Sequence, residues 1–159
     1  MVDDIRIERA SDTGDMDAVA ALFRGYAASL PVDLDYQGFD EELAALPGKY
    51  AVPRGALLLA RDASGAALAC VGLRPLDAEG LCEMKRLYLL PAARGTGLGR
   101  ALAEAVVAEA RGLGYCELRL DTLPSMARAI AMYTAMGFER IAAYYAPTPP
   151  GTVFMALKL

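Results

Sequence analysis

The sequence predicts a single α/β domain built on one mixed, mostly antiparallel sheet flanked by helices, and three observations support this. Segments of alternating apolar and polar residues are separated by segments with helical spacing, the pattern of strands and helices. Paired strands come early and crossover helices come late, which favours a mixed sheet over a wholly parallel one. The 159 residues contain no linker and no internal repeat, so one domain over residues 1–159 is expected.

The first third of the chain predicts one strand and two helices. Residues 5–10, "IRIERA", alternate in polarity and predict a strand. Apolar residues recur at helical spacing over residues 15–30, and Asp12 and Thr13 are candidate caps just upstream. A shorter helix is expected over residues 37–46, ended by the Pro-Gly pair that follows it.

The middle of the chain predicts a hairpin, a long strand and a helix. Residues 56–61 and 66–74 form two apolar strands joined by the turn "DASG". A longer strand over residues 81–90 carries charged residues among apolar neighbours. A helix is expected over residues 97–111, closed by the glycines that follow it.

The last third predicts three more strands and a helix. Alternation over residues 115–121 indicates a strand, and a proline opens a helix over residues 124–136. A strand follows over residues 137–144, then the loop "APTPPG" and a last strand over residues 152–159. The expected order of elements is β-α-α-β-β-β-α-β-α-β-β.

Composition excludes several classes of function. The formal net charge of −4 argues against a nucleic-acid partner. No run approaches the roughly 20 apolar residues of a membrane span, and the N-terminus lacks a signal-peptide core, so a cytoplasmic protein is expected. Cys70, Cys82 and Cys116 form no CxxC pair and are expected as free core thiols. The sequence has no histidine, which excludes His-based triads and common zinc sites, and no metal is expected.

One motif combines a strand, a glycine-rich turn and a helix: "LYLLPAARGTGLGRALAEAVVA". Its turn, residues 94–99, is here called the glycine loop. Such a turn offers backbone N–H groups and a helix dipole to a phosphate or pyrophosphate, and Arg94 and Arg100 can add charged contacts. It lacks the Lys-Ser/Thr end of a nucleotide-hydrolysing loop and the GxGxxG pattern of a dinucleotide site. A tight turn that binds nothing remains the alternative.

The motif resembles the central motif of the Gcn5-related N-acetyltransferase (GNAT) superfamily, a strand followed by an Arg/Gln-x-x-Gly-x-Gly/Ala loop and a helix. A second segment, "SMARAIAMYTAMGFERI", resembles the family's next helix and the Gly-Phe that opens the following strand. The expected order of elements also matches the family, so the resemblance covers essentially the whole chain.

The resemblance implies acetyl-CoA as co-substrate, with direct transfer of the acetyl group to an amine. Its pyrophosphate would bind the N–H groups of the glycine loop, and its pantetheine arm would pair with the strand before the loop. Many members have an asparagine where this chain has Met126, so the contact there passes to Ser125. The implied cofactor contacts are Leu87, Tyr88, Leu89, Arg94, Gly95, Thr96, Gly97, Leu98, Gly99, Arg100, Ser125 and Tyr133.

Three residues are candidates for the chemistry. The resemblance implies that the Leu87 N–H polarises the acetyl carbonyl and that Tyr133 protonates the leaving thiolate. Glu83 is the candidate base, because residues 83, 85, 87 and 89 share one side of a regular strand. The alternatives are a packed aromatic for Tyr133 and a solvated or salt-bridged surface glutamate for Glu83, with water carrying the proton.

The acceptor is expected to be a small-molecule amine, with an acidic or amino-acid-like acceptor favoured by Arg74, Lys85 and Arg86. A regular strand would put Lys85 and Arg86 on opposite faces, and a bulge would relax this. Tyr26 and Tyr144 are candidate walls of the acceptor site. A protein or peptide N-acetyltransferase and a non-catalytic acyl-CoA sensor are alternative functions. The oligomeric state, including a homodimer, stays open.

Overall fold

The computed structural model describes residues 4–159, which form a seven-stranded sheet with helices on both faces. The strands are β1 (Arg6–Arg9), β2 (Ala56–Arg61), β3 (Ala67–Pro75), β4 (Leu81–Leu89), β5 (Glu117–Thr122), β6 (Glu139–Ile141) and β7 (Val153–Lys158). The α-helices are α1 (Thr13–Ser29), α2 (Phe39–Ala44), α3 (Leu98–Gly112) and α4 (Ala127–Ala135). Their order along the chain confirms the prediction.

The sheet has the order β1-β2-β3-β4-β5-β7-β6, and all neighbouring strands are antiparallel except β4 and β5. The mixed and mostly antiparallel sheet is therefore confirmed. Within residues 4–159 no helix is long and apolar enough to cross a membrane.

Several predicted boundaries move for local reasons. Helix α2 begins at Phe39 rather than residue 37, because Gly38 adopts a left-handed conformation (φ 69°) that separates α2 from a 3-10 turn over Leu34–Gln37. Helix α4 begins three residues later than expected, after a turn in which the Met126 N–H bonds the Leu123 carbonyl. Strand β6 ends at Ile141 rather than residue 144, because the chain then turns back over the sheet.

Two hydrophobic cores lie on the two faces of the sheet. One packs the sheet against α3 and α4, with Leu102, Val106 and Tyr133 among its buried residues. The other packs the sheet against α1 and α2, with Phe23 and Phe39 among them. These faces are called the α3 face and the α1 face below.

The three predicted core thiols divide between the interior and the surface. Cys70 and Cys82 are buried and free, as predicted. Cys116 is exposed, so its placement in the core is wrong.

A bulge interrupts β4 at Arg86. Cys70 lies opposite Tyr88 and Gly72 lies opposite Lys85, so one residue of β3 faces two of β4. Arg86 has a positive φ of 61°, the one non-glycine residue of the described chain with that conformation. The bulge that is the condition for Lys85 and Arg86 to share a face is thus present, and both side chains are buried and line the same pocket.

The bulge overturns the expectation that residues 83, 85, 87 and 89 share one side of β4. Leu87 and Leu89 pack into the α3-face core. Glu83 and Lys85 alternate with Cys82 and Met84, which belong to that same core, and so they point to the α1 face. The extra residue shifts the alternation by one position after Lys85, which the regular-strand argument did not include.

Strands β4 and β5 pair only at their beginnings. The last parallel pair is Glu83 with Arg119, and beyond it the two strands separate. The backbone of Tyr88 and Leu89 pairs with β3 on one side, and Leu87 lies in the bulge before them, while β5 has moved away on the other side. A gap therefore opens in the sheet beside the second half of β4.

Candidate active site

The glycine loop connects β4 to α3 and leaves backbone N–H groups available. Gly95 and Gly97 have φ values of 77° and 84°, which favour glycine, and a Cβ at either position would meet no atom within 4 Å. The first helical hydrogen bond of α3 runs from the Ala101 N–H to the Gly97 carbonyl. The N–H groups of Leu98, Gly99 and Arg100 precede it and have no helical partner. This helix start can therefore bind an anion.

The polar side chains of the loop and of the residue after it each bond to a different partner within the protein. Arg94 donates from Nε to the Leu89 carbonyl (3.2 Å) and lies over the Tyr88 ring. The Arg94 N–H is bonded to a carbonyl of the preceding turn, so it is not a ready donor to a ligand, in contrast to the predicted set. Thr96 donates its hydroxyl to the Ala93 carbonyl. Arg100 pairs with Glu104 on the exposed surface of α3.

The gap between β4 and β5 leads to a small pocket, called the inner pocket. Among the residues that line it are Tyr26, Tyr36, Gln37, Lys85, Arg86, Leu87, Asp121, Thr122, Met126 and Tyr133. Leu87 and Tyr133, two of the three candidates for the chemistry, are thus brought together.

Tyr133 is buried on α4, with its ring tilted against that of Phe138. Burial raises the pKa of Tyr133 above its ordinary value of 10, so the hydroxyl stays protonated. A protonated hydroxyl beside the strand gap is suited to donating a proton. Ser125, by contrast, is exposed and does not cap α4, whose capping residue Met126 makes no side-chain cap.

A larger outer cavity of about 470 Å³ lies next to the inner pocket on the α1 face. The two share the side chains of Tyr36, Gln37 and Lys85. The other side chains of the outer cavity include Lys49, Arg74, Glu83, Arg119, Tyr144 and Tyr145. A molecule in the outer cavity can therefore approach the inner pocket from the side opposite the glycine loop.

Glu83 is held in the outer cavity by two partners. One carboxylate oxygen accepts hydrogen bonds from Arg74 (2.9 Å), and the other accepts one from the Tyr144 hydroxyl. Glu83 is 1% exposed and does not line the inner pocket. Glu83 is therefore salt-bridged, as that alternative held, but it is buried and does not lie on the surface. Arg74 and Tyr144, predicted as acceptor contacts, are engaged with Glu83.

A second buried cluster bridges the gap itself. Lys85 Nζ lies 3.2 Å from Asp121 Oδ1, and the Tyr145 hydroxyl donates to Asp121 Oδ2 (2.8 Å). Gln37 in turn donates to the Tyr145 hydroxyl (3.0 Å). Burial lowers the pKa of Lys85 below its ordinary value, and the Asp121 charge opposes that shift.

Arg86 is the centre of a third buried cluster. Its guanidinium donates to both oxygens of Glu42 (3.1 Å each) and to Gln37 (2.6 Å). Glu42 also accepts a hydrogen bond from Tyr50 (2.9 Å). Arg86 lies 5.8 Å from the ring of Tyr26, the other predicted wall residue, whose pKa burial raises to about 12.

Sequence reasoning missed Asp121, Glu42 and Gln37 as members of the site. The position of Asp121, an acidic residue near the end of a strand, was a usable signal for it. Glu42 lies in the acidic run "DEEL" and resembles any surface carboxylate. No local signal distinguishes it.

A glycine loop at the start of a helix, beside a gap between two parallel strands, is the arrangement of acyl-CoA transferases of the N-acetyltransferase fold. The chain belongs to the acetyltransferase (GNAT) family, whose model matches residues 19–138. It is accordingly an acyltransferase enzyme, and the resemblance inferred from the two motifs is confirmed.

Relatives and solved structures agree with this family. An uncharacterised N-acetyltransferase of Schizosaccharomyces pombe is 39% identical over 145 residues, 91% of this chain and 89% of that protein. The uncharacterised N-acetyltransferase YjgM of Escherichia coli is 33% identical over 131 residues, 80% and 78% of the two chains.

Two solved structures share the fold across nearly the whole chain. A Klebsiella pneumoniae protein assigned as an acyl-CoA N-acyltransferase has a TM-score of 0.75 and 31% identity, covering 98% of this chain and 97% of that one. A Salmonella typhimurium acetyltransferase, solved with acetyl-CoA, has a TM-score of 0.70 and 21% identity, covering 98% and 94%.

Proposed function

We propose that this protein transfers the acetyl group of acetyl-CoA directly to the amine of a small molecule. The observation that carries the proposal is the convergence at one strand gap of the glycine loop, the unpaired edge of β4 and Tyr133. The outer cavity reaches the same gap from the other side. Acetyl-CoA from the side of the glycine loop and the acceptor amine from the outer cavity can therefore meet at the strand gap.

The residues of the glycine loop fit a pyrophosphate. The N–H groups of Leu98, Gly99 and Arg100 face outward from the start of α3, and the open space at Gly95 and Gly97 admits close approach. The edge of β4 at Leu87, Tyr88 and Leu89 can pair with the amides of a pantetheine arm as an added strand would.

When bound, acetyl-CoA supplies an activated acetyl group on a thioester. The Leu87 N–H, in the unpaired part of β4, can donate to the acetyl carbonyl oxygen and stabilise the charge that develops there. Tyr133 can protonate the departing sulfur, and burial keeps it in the required form. The free cysteines have no part in this direct transfer.

An amino-acid-like acceptor, carrying both charges, fits the outer cavity better than a simple anion. The cations Arg74, Lys85, Arg86 and Arg119 each have a carboxylate partner in the protein. Lys49 at the cavity wall adds one further positive charge that can attract an acceptor carboxylate. Tyr36, Tyr144 and Tyr145 provide an aromatic wall of small-molecule size.

The first experiment is a thermal shift with acetyl-CoA, with ATP and NAD as controls. A ligand at 100 times its Kd adds about 2.7 kcal/mol to the free energy of unfolding, which should raise the Tm by several degrees at this chain length. A shift with acetyl-CoA alone supports the proposal, and an amine library followed by release of free CoA thiol then identifies the acceptor.

Two matched variants locate the binding. Gly97→Ala should weaken the shift, because its φ of 84° disfavours a side chain where the loop receives the anion. Gly112→Ala, at the opposite end of α3 with open space around it, should leave the shift unchanged. A larger shift with a nucleotide, or equal behaviour of the two variants, would contradict the proposal.

A further inference from the structure

Two buried carboxylates on the α1 face are held in the same way but at different distances from the gap. Glu83 is held by Arg74 and Tyr144, and Asp121 is held by Lys85 and Tyr145. Each thus has one cation and one tyrosine as partners. Their position relative to the reacting atoms is what distinguishes them.

Asp121 lies beside the reaction point, whereas Glu83 does not. Asp121 is on β5 two residues beyond the last residue paired with β4, and its carboxylate bridges the gap to Lys85. It lines the inner pocket together with Leu87 and Tyr133, and Glu83 lines only the outer cavity. Along β4, Leu87 is two residues from Lys85, the partner of Asp121, and four residues from Glu83.

The partners of Asp121 suit an amine-binding role. Its Oδ2 accepts from the Tyr145 hydroxyl, which reaches Asp121 from the loop over the outer cavity. Asp121 lines the inner pocket next to that cavity, and its carboxylate oxygens have lone pairs for a second donor such as an ammonium. Lys85 contacts the other oxygen, Oδ1.

We propose that Asp121, rather than Glu83, receives the acceptor amine and takes its proton. This rests on the proposed acetyl-CoA-dependent function. The acceptor ammonium gives one proton to Asp121 and becomes a neutral amine. The N–C bond forms as the C–S bond breaks, and the sulfur keeps the electron pair and receives a proton from Tyr133. The second nitrogen proton then restores Tyr133, and Asp121 releases its proton to solvent.

The test uses two CoA thioethers and needs no knowledge of the natural acceptor. S-(2-aminoethyl)-CoA carries an ammonium one bond farther from sulfur than the attacking amine, and S-ethyl-CoA is its neutral counterpart. Calorimetric titration of the wild type at pH 7 should show at least about tenfold tighter binding of the amine, as expected for an ammonium beside a desolvated carboxylate.

Matched amide variants assign the preference to one carboxylate. Asp121→Asn should abolish the preference for the amine while S-ethyl-CoA still binds. Glu83→Gln should retain it, although it removes a charge that is buried more deeply than that of Asp121. A preference lost in Glu83→Gln and kept in Asp121→Asn would overturn the proposal, as would equal binding of the two thioethers by the wild type. If neither thioether binds the wild type, the acetyl-CoA function itself fails instead.

A third variant keeps the test independent of the stability of Asp121→Asn. Lys85→Met removes the cation that competes for Asp121, so the preference for S-(2-aminoethyl)-CoA should increase over that of the wild type. An unchanged or smaller preference in Lys85→Met would count against Asp121. Thermal unfolding of each variant shows that the titrated protein is folded.

Discussion

Arg86 in the bulge of β4 and Glu42 on α2 form a two-point ion pair, with Nε–Oε2 and NH2–Oε1 distances of 3.1 Å. The Arg86 side chain is 1% exposed and that of Glu42 is 12% exposed, so both charges are largely removed from water. The ion pair therefore holds α2 against the α1 face of the sheet at Arg86, the residue after which the alternation of β4 is reversed.

Loss of Glu42 should destabilise the protein strongly. Glu42→Ala leaves the buried guanidinium of Arg86 without its carboxylate, which costs about 3–5 kcal/mol for a broken buried pair. Glu41→Ala, an exposed neighbour in the same helix, should change the free energy of unfolding by less than about 0.5 kcal/mol. Urea unfolding of both variants checks this, and equal effects would mean that the pair does not hold α2.

A side chain at Gly72 should be tolerated poorly. A Cβ there would lie 2.6 Å from a ring carbon of the buried Tyr50, so Gly72→Ala should cost about 1–3 kcal/mol by overpacking. Gly112→Ala, with no atom within 4 Å of the new Cβ, serves as the control and should be neutral or slightly stabilising. Thermal unfolding distinguishes the two, and a stable Gly72→Ala would show that the Tyr50 ring can move aside.

Removal of the Tyr133 hydroxyl should reduce the rate rather than the affinity. Tyr133→Phe is expected to lower kcat about 100-fold or more, with little change in KM for acetyl-CoA. Because burial raises the pKa of Tyr133 above 10, its proton is present throughout the neutral range, and this group should cause no loss of rate up to about pH 9. Tyr115→Phe is the matched control, because the Tyr115 hydroxyl donates to the Arg54 carbonyl, away from the gap.

Asp15 should contribute stability that disappears in acid. It accepts hydrogen bonds from the Ser11 N–H and from Arg61, which lower its pKa below the ordinary 3.8. A lowered folded pKa gives stability that is present above 3.8 and is lost as pH falls through the folded value. Asp15→Asn should therefore cost about 1 kcal/mol at pH 7, and its difference from the wild type should shrink below about pH 4.

The control for Asp15 is Asp17→Asn, an exposed carboxylate on the same helix. It should be nearly neutral at both pH values. A constant difference between Asp15→Asn and the wild type from pH 7 to pH 3 would contradict the role assigned to the Asp15 charge.

The order of elements could be predicted because the local signals agree. Alternation in β5, helical spacing in α3 and the glycine loop between β4 and α3 each depend on residues close in sequence. Boundaries were less predictable where a single backbone conformation decides them, as at Gly38 before α2.

The bulge at Arg86 could not be located from the sequence. The first half of β4 alternates apolar and charged residues, but the second half, "LYL", is apolar at every position, so no polar phase after Arg86 marks the shift. The conclusion that Glu83 shares a face with Leu87 failed for this reason. The adjacent cations Lys85 and Arg86 raised a bulge only as a condition for sharing one face, and the pattern of the strand did not predict one.

The partners of the buried charges could not be predicted either. Arg86 and Glu42 are 44 residues apart, and Lys85 and Asp121 are 36 apart. Such pairs form only when the tertiary structure brings the elements together, and nothing local distinguishes these carboxylates from solvated ones. The predicted cation cluster for an acceptor anion is therefore largely neutralised in the fold.

The bulge also divides β4 into two independently variable parts. Before Arg86, the side chains of Glu83 and Lys85 line the outer cavity, while after it the edge of β4 lies along the gap in the sheet. Paired exchanges of Glu83 and Arg74, which keep the buried charge balanced, can therefore reshape the outer cavity without altering the strand edge along the gap. Evolution and protein engineering can thus diversify one half of this strand while the other half stays constant.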